Sequence, residues 1–235
     1  MKYNRILLKL SGESLASVDG YSLDYDAVRH FASEIREAVA TGVEVGVVIG
    51  GGNIFRGVHG AGKGFDRRQG DYMGMLATVI NAMALQTLLE EMSVKTKVLS
   101  AFAIEGLSEK AFFKNADQYL KKGYVVIFGG GTGNPYFTTD SGAALRAVEI
   151  KADILLKGTR VDGIYTADPE KVKNAEKYSS LTFAEAYAEN LKIMDLTAFT
   201  LCRDNNMDIY VYDATQKGNL LKVLNGENIG TLVHN

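Results

Sequence analysis

Short apolar runs alternate with amphipathic stretches along the whole chain. The apolar runs predict strands at Arg5–Leu10, Val43–Ile49, Thr96–Ser100, Tyr124–Phe128, Ile154–Lys157, Ile209–Asp213 and Thr231–His234, with a short hairpin arm at Asp162–Thr166. Helical periodicity predicts helices at Tyr25–Ala40, Tyr72–Met92, Ser108–Lys122, Ser141–Ala152, Thr182–Asn190 and Leu196–Asn205, with a helical turn at Leu220–Asn225. Such alternation is typical of an α/β protein whose mostly parallel sheet is covered on both faces. No linker or repeat divides the chain, so we expect one domain over residues 1–235.

One predicted helix carries no charge over the eighteen positions Tyr72–Leu89. Its length is close to that of a membrane span, but Asn81 and Gln86 interrupt it and acidic rather than basic residues flank it. We therefore expect no membrane contact. A helix that covers a sheet normally keeps one charged face for water. We predict that this helix packs on the sheet with one side and on a second subunit with the other, the alternative being burial within a monomer.

Composition narrows the class of protein. Hydrophobic residues make up 46% and charged residues 23% of the chain, which excludes a disordered or collagen-like protein. The net charge of −2 disfavours a nonspecific nucleic-acid binder. The single cysteine, Cys202, allows no intrachain disulfide. The apolar run near the N-terminus is short and interrupted by Lys9, so we expect no secretory signal there. We expect a cytoplasmic protein without nucleic-acid partners.

Glycines follow four of the predicted strands. The chain continues as Leu10-Ser11-Gly12, Gly50-Gly51-Gly52, Gly129-Gly130-Gly131 and Lys157-Gly158-Thr159 after those strands. Ligands of such sheets bind at the carboxyl ends of the strands, where exposed backbone N–H groups and helix N-termini attract anions. The sequence therefore predicts a phosphate site. It is not a familiar one, because Asn134 breaks the dinucleotide pattern GxGxxG and Gly64 replaces the hydroxyl residue of a P-loop that would span Gly57–Gly64.

The candidate site residues each have a second interpretation. Lys9 and Lys157 either reach into the cleft or extend along the edge of the sheet. Arg56 suits a phosphate dianion but also an exposed surface. Asp71 could cap the uncharged helix, and Asp140 the helix that follows Thr138 and Thr139.

At these residues the chain resembles the bacterial uridylate kinase family of the amino acid kinase superfamily. The resemblance covers essentially the whole chain. Its most specific segments are KLSGES at Lys9–Ser14, VVIGGGNIFRG at Val47–Gly57, GDYMGMLAT at Gly70–Thr78, GTGNPYFTTDS at Gly131–Ser141, VDGIYTADP at Val161–Pro169 and MDLTAFTL at Met194–Leu201. It implies a three-layer αβα sandwich, the transfer of the γ-phosphoryl group of ATP to UMP in pyrimidine nucleotide synthesis, and a hexamer built from dimers.

The resemblance also implies roles for individual residues. Lys9, Asp140 and Lys157 would be catalytic. The residues expected to bind ATP are Lys9, Leu10, Ser11, Gly12, Gly52, Arg56, Thr159, Tyr165 and Asp168. The residues expected to bind UMP are Gly51, Asp71, Thr132, Gly133, Asn134, Pro135, Tyr136, Phe137, Thr138 and Thr139. The segment Ser17–Ser22 corresponds to a loop associated with allosteric GTP activation, so GTP and UTP are expected effectors.

Phosphoryl transfer to an ionised phosphate needs positioning and charge compensation rather than a general base. We expect Mg²⁺ to arrive with ATP, held mainly by its oxygens and by water, with no protein metal site beyond the nearby Asp140. Two rival functions remain. One is a superfamily kinase acting on a small carboxylate or carbamate, and the other is a nucleotide or oxyanion sensor without turnover.

Overall fold

The computed structural model describes residues 1–17, 22–55, 66–167, 169, 171–172 and 174–235. Nine strands within these residues form one sheet: β1 Arg5–Leu10, β2 Glu44–Ile49, β3 Thr96–Ser100, β4 Glu109–Lys110, β5 Val125–Gly129, β6 Ile154–Thr159, β7 Ser180–Thr182, β8 Ile209–Asp213 and β9 Thr231–His234. Their spatial order is β4-β3-β5-β2-β1-β6-β8-β9-β7, and the β8–β9 pair alone is antiparallel among them. The mostly parallel sheet predicted from the sequence is confirmed.

Helices cover both faces of the sheet. They are α1 Tyr25–Ala40, α2 Arg67–Glu91, α3 Phe113–Lys121, α4 Thr139–Glu149, α5 Phe183–Ala188, α6 Leu196–Asp204 and α7 Asn219–Leu224. Buried side chains of α1, α2 and α7 form one apolar cluster with the sheet, and those of α3, α4, α5 and α6 form the second. The result is the expected three-layer αβα sandwich.

Alternation along β1 assigns its side chains to the two layers. Ile6, Leu8 and Leu10 join the α1–α2–α7 cluster, whereas Leu7 joins the opposite one. Because successive side chains of a strand point to opposite faces, Lys9 shares the face of Leu7, on which α4 packs. A lysine in an otherwise apolar strand is thus directed at one particular helix.

The uncharged helix begins earlier than predicted. The α2 helix starts at Arg67 because the Asp66 carboxylate caps it, accepting from the backbone N–H groups of Arg68 and Gln69. Among the described helices it alone is long and apolar enough to cross a bilayer, yet half of its most apolar stretch is buried in the protein, where it packs on α1, β3 and β5.

The two sides of α2 differ in exposure. Met73, Leu76 and Ile80 are 38%, 48% and 49% exposed, and Met83 is half-buried on the same side. Val79, in contrast, is buried and lies where a β-carbon on Gly129 would meet its methyl group at 3.0 Å. The apolar stripe available to a partner therefore consists of Met73, Leu76, Ile80 and Met83. Val79 is adjacent in sequence to Ile80 and equally apolar, so the sequence alone would also offer it to a subunit interface, but its burial within the chain makes that assignment wrong.

Other predicted boundaries need correction. The predicted helix Ser108–Lys122 is a helix only from Phe113 to Lys121, because Glu109 and Lys110 pair with β3. The predicted arm Asp162–Thr166 contains a single bridge between Tyr165 and Lys177 rather than a strand pair. Strand β7 was not predicted from the sequence.

Candidate active site

The four glycine-bearing strand ends meet at the centre of one edge of the sheet. Strands β5, β2, β1 and β6 are immediate neighbours in that order. They run parallel, so the turns that follow them leave the sheet on the same side. The predicted constellation is therefore brought together by the sheet itself, as expected for ligand sites of parallel sheets.

Two lysines lie side by side in this sheet. Lys9 of β1 and Lys157 of β6 are partners in the parallel register, so their side chains project from the same face. Asp140, in the first turn of α4, lies between them: Lys9 Nζ is 2.9 Å from Asp140 Oδ1, and Lys157 Nζ is 2.9 Å from Oδ2. Lys157 also donates a hydrogen bond to the carbonyl of Ile193. Both lysines thus belong to the site rather than to the edge of the sheet.

Burial and charge act in opposite directions on this cluster. Burial alone would raise the pKa of Asp140, but the nearby charges of Lys9 and Lys157 outweigh it and hold that pKa below its usual value. Burial lowers the pKa of Lys157, and Lys9 adds to this effect, whereas Asp140 opposes it. The carboxylate is therefore ionised at neutral pH and neutralises most of the repulsion between the lysines.

The glycine turns approach one another so closely that side chains are excluded. A β-carbon on Gly12 would lie 2.6 Å from the Gly50 carbonyl oxygen and 2.7 Å from the Gly52 nitrogen. A β-carbon on Gly51 would lie 2.7 Å from the Gly74 carbonyl oxygen in α2. Backbone thus packs directly on backbone at the mouth of the cleft, which requires glycine.

These groups border a cavity of about 460 Å³. The predicted residues that line it are Lys9, Ser11, Gly12, Gly51, Gly52, Asp71, Thr132, Asn134, Phe137, Thr138 and Thr139. Asp140 and Lys157 adjoin it through their contacts with Lys9. The cavity also touches residues that were given no individual role from the sequence, namely Glu13, Gly50, Phe55, Arg67, Gly74, Met75, Thr78 and Gly131.

The remaining predicted residues lie elsewhere. Leu10 is buried in the core, and Gly133, Pro135 and Tyr136 belong to the loop beside the cavity without lining it. Thr159 and Tyr165 are also outside the lining: the Thr159 hydroxyl donates to the Val161 carbonyl, and the Tyr165 hydroxyl donates to Asp162 at 2.7 Å. Arg56 and Asp168 lie outside the described residues, as do residues 18–21 of the Ser17–Ser22 segment and all of Gly57–Gly64.

Asp71 is not the cap of α2, because Asp66 has that role. The Asp71 carboxylate lies at the cavity wall, where it accepts from Arg67 Nε at 2.9 and 3.0 Å and from the Tyr136 backbone N–H at 2.8 Å. It therefore joins α2 to the loop that follows β5. Arg67 also lies over the Tyr136 ring, 5.8 Å from its centre.

Asp195 is a supporting residue that sequence reasoning missed. Its carboxylate accepts from the Thr138 hydroxyl and from the Ser141 hydroxyl at 3.0 Å, and it caps α6 by accepting from Ala198 N at 3.0 Å. Thr138 in turn caps α4, accepting from the backbone of Asp140 and Ser141. Asp195 thus fixes the turn that carries Asp140. The motif MDLTAFTL contained it, but the spacing gave no sign of its partners.

The arrangement suits a ligand that carries phosphate groups. Lys9 and the backbone of several glycines line the cavity, Lys157 lies beside Lys9 in the sheet, and the Asp71 carboxylate in the same lining can accept hydrogen bonds from hydroxyl groups. Within the described residues no group of three or more His, Cys, Asp or Glu side chains could hold a metal ion, and both Asp140 oxygens face lysines.

Comparisons with known proteins agree with this chemistry. The pattern that defines the amino acid kinase family matches residues 4–213. Proteins named uridylate kinase from Porphyromonas gingivalis and Parabacteroides distasonis are 58% and 56% identical to the chain, covering 99% and 100% of it and 98% and 99% of the relatives. The crystal structure of UMP kinase from Bacillus anthracis has a TM-score of 0.96 at 37% identity and covers 100% of this chain and 97% of its own. That from Ureaplasma parvum has a TM-score of 0.95 at 39% identity and covers both chains fully.

The coupling within the charged cluster is directly measurable. We expect Lys9→Met to raise the pKa of the Asp140 carboxyl, because burial still raises that pKa while one of the two lowering charges is lost. Carbon NMR of aspartate-labelled protein over a pH titration measures it. Lys151→Met, at the far end of α4, is the control and should leave the pKa of Asp140 in place. An unchanged Asp140 pKa in Lys9→Met would contradict the assignment.

Proposed function

Because this chain belongs to the amino acid kinase family and, within it, to the uridylate kinases, we propose that it transfers the γ-phosphoryl group of ATP to UMP, giving ADP and UDP. The UDP that forms is the precursor for the synthesis of UTP and CTP. The observation that carries the proposal is the Lys9–Asp140–Lys157 cluster beside two glycine turns, with Asp71 in the lining of the adjoining cavity.

We propose separate places for the phosphoryl donor and the acceptor along the cavity. The ATP phosphates would contact Lys9, near the end of β1, and Ser11 and Gly12, which follow this strand. Gly52 would lie near the transferred group. Gly51, Asp71 and the segment Thr132–Thr139 would surround UMP, with Asp71 accepting from the ribose hydroxyls. The adenine side at Thr159 and Tyr165 stays a prediction from the resemblance, as do the roles of Arg56 and Asp168.

The cluster would act by charge compensation. In phosphoryl transfer negative charge spreads over the moving group, and fixed cations and N–H donors lower the barrier without reorganising. Asp140 would hold both ammonium groups in place instead of accepting a proton, since a UMP phosphate oxygen is already ionised at pH 7. Lys157 is restrained a second time by Ile193, so its orientation does not depend on substrate.

Mg²⁺ would enter with ATP. Among the described residues, no group of three or more His, Cys, Asp or Glu side chains could hold a metal ion. Both carboxylate oxygens of Asp140 already contact lysines. Oxygen atoms of the triphosphate and water suit Mg²⁺ as ligands, so the residues present fit a metal carried by the nucleotide. Bound there, Mg²⁺ would offset phosphate charge, while the protein's own residues orient the two substrates.

A panel of acceptors tests the proposal. We expect ATP-dependent release of ADP with UMP, less with CMP, and none with glutamate or carbamate, because Asp71 and the Thr132–Thr139 loop fit a nucleotide. Coupled measurement of ADP with Mg²⁺ present provides the readout. Turnover with glutamate or carbamate instead would favour the carboxylate or carbamate kinase. Tight UMP binding without turnover would favour a sensor.

A substitution at Asp71 should distinguish the binding of UMP from the binding of ATP. We expect Asp71→Asn to raise the KM for UMP roughly tenfold to a hundredfold, since a hydrogen bond to a charged group is worth about 1.5–3 kcal/mol. The KM for ATP should hardly change. Asp66→Asn is the matched control on the same helix: asparagine caps as well as aspartate, so both KM values should stay near wild type. Equal rises for both substrates in Asp71→Asn would refute the ribose role.

The exposed stripe on α2 is where we propose that a second copy of the chain packs, as the first contact of a hexamer built from dimers. Met73, Leu76, Ile80 and Met83 offer an apolar surface without charge, and a two-fold axis would place the stripe against its own copy. GTP and UTP would then act as effectors on the assembly.

Light scattering tests the assembly. We expect the wild-type mass to exceed that of one 25.5 kDa chain and Leu76→Asp to reduce it, because an unpaired charge would be left in a desolvated contact. Tyr187→Asp, which changes a still more exposed aromatic side chain on α5, should leave the mass unchanged. A wild-type protein that runs as a single chain at micromolar concentration would end the proposal.

A further inference from the structure

Two asparagines are completely buried behind the glycine turn that follows β2. Asn53 belongs to this turn and Asn81 to α2, and neither side chain is exposed to solvent. Burying an amide without partners is costly, so residues of this kind in a core need a complete set of hydrogen bonds. None of the substrate contacts proposed above uses them.

The two amides form a closed network. Asn81 Nδ2 donates to the Gly50 carbonyl at 2.7 Å and to Asn53 Oδ1 at 2.7 Å. Asn53 Nδ2 donates to Asn81 Oδ1 at 3.2 Å and to the Ser22 carbonyl at 3.0 Å. All four amide hydrogens are used. Because both outer partners are carbonyls, each amide can be turned only one way.

The bond to Gly50 fixes a peptide group at the cavity. The described residues contain no cis peptide bond, so the carbonyl of Gly50 and the N–H of Gly51 point in opposite directions. With the carbonyl held towards Asn81, the Gly51 N–H points away from that side chain. Gly51 and Gly52 line the cavity, and in the described part of the chain neither amide donates to another residue.

The same face of α2 holds the second glycine turn. Thr78, three residues before Asn81, accepts from the backbone N–H of Gly130 at 2.8 Å. Residues three apart on a helix lie on one face. One helix therefore fixes a peptide group in each of the two turns, at Gly50 through a donor and at Gly130 through an acceptor.

We infer that Asn81 is a positioning residue for phosphoryl transfer: it holds the Gly50 carbonyl towards α2 so that the Gly51 and Gly52 amides stay available to the transferred group. Without Asn81 this peptide group could rotate and direct a carbonyl oxygen at an anion. The inference depends on the proposed kinase function. It concerns an element behind the cavity wall, which touches neither substrate.

The experiment compares Asn81→Leu with Asn53→Leu. Each variant breaks the amide pair and leaves the other buried amide with only its outer carbonyl partner, but only Asn81→Leu removes the bond to Gly50. We expect kcat to fall at least tenfold in Asn81→Leu, with the KM for UMP and for ATP within twofold of wild type. Asn53→Leu should lose a similar amount of thermal stability yet keep most of kcat.

A third variant gives a readout that a merely structural role would not produce. In Asn81→Asp a protonated carboxyl can donate to the Gly50 carbonyl, whereas an ionised one repels it. No titratable side chain is among the hydrogen-bond partners of the pair in the described residues. We therefore expect the kcat of Asn81→Asp, relative to wild type, to recover as the pH falls. This variant also decides the matter if Asn81→Leu does not fold.

The outcomes distinguish this inference from the proposed function. A wild-type enzyme that releases no ADP with UMP refutes the function itself. An active wild type, together with a folded Asn81→Leu whose kcat is within twofold of it, overturns the role of Asn81. Equal losses of kcat in Asn81→Leu and Asn53→Leu, with no recovery of Asn81→Asp at low pH, also overturn it, because they indicate general loosening of the core.

Discussion

A carboxylate held between two lysines on neighbouring strands determines how the rest of the site is built. Side by side on one face of a sheet, Lys9 and Lys157 would repel each other at a position where burial already disfavours charge. Asp140 makes the pair tolerable, so the start of α4 must lie directly above β1 and β6. That placement in turn requires Thr138, Ser141 and Asp195 to fix the first turn of the helix. Replacing such a cluster by apolar residues would cost little stability, so chemistry rather than stability explains its presence.

Helix α2 supports the site from the opposite layer of the sandwich. It contributes Asp71 to the cavity wall, accepts Gly130 through Thr78 and holds Gly50 through Asn81. Its outer side is the apolar stripe Met73–Met83, so any partner that packs there contacts the element that supports both turns. One helix thus carries cavity-lining residues at one end and an exposed apolar stripe along its side.

Sequence reasoning performed best where local signals and tertiary packing agree. Helix α1 begins and ends as predicted because Asp24 caps a strongly amphipathic run, and β3, β8 and β9 match because their apolar runs are short and sharply bounded. The α/β class and the convergence of four strand ends followed from the same pattern. Lys9, Lys157 and Asp140 were candidates from their positions at strand ends and at a helix start, whereas their catalytic role came from the resemblance. The register explains why the two lysines lie side by side.

What the sequence could not predict depends on long-range contacts. Edge pairing with β3 removes Glu109 and Lys110 from a helix that local periodicity favoured. Val79 and Ile80 are adjacent and equally apolar, and only the direction of packing decides which one is buried. Asp195 lies more than fifty positions from the hydroxyls it holds, and the Asn53–Asn81 pair joins the glycine motif after β2 to the uncharged helix, two features that were considered separately.

The pairing of Lys9 with Lys157 has a consequence for the folding of the protein as well as for its chemistry. Shifting β6 against β1 by one residue would exchange the faces of every side chain in the strand, so Lys157 would enter the apolar layer beneath α1 while a leucine faced Asp140. Such a misaligned sheet would keep its backbone ladder but bury an unpaired ammonium group. The paired lysines therefore favour the native register of β1 and β6, since the register that places both beside Asp140 avoids that penalty.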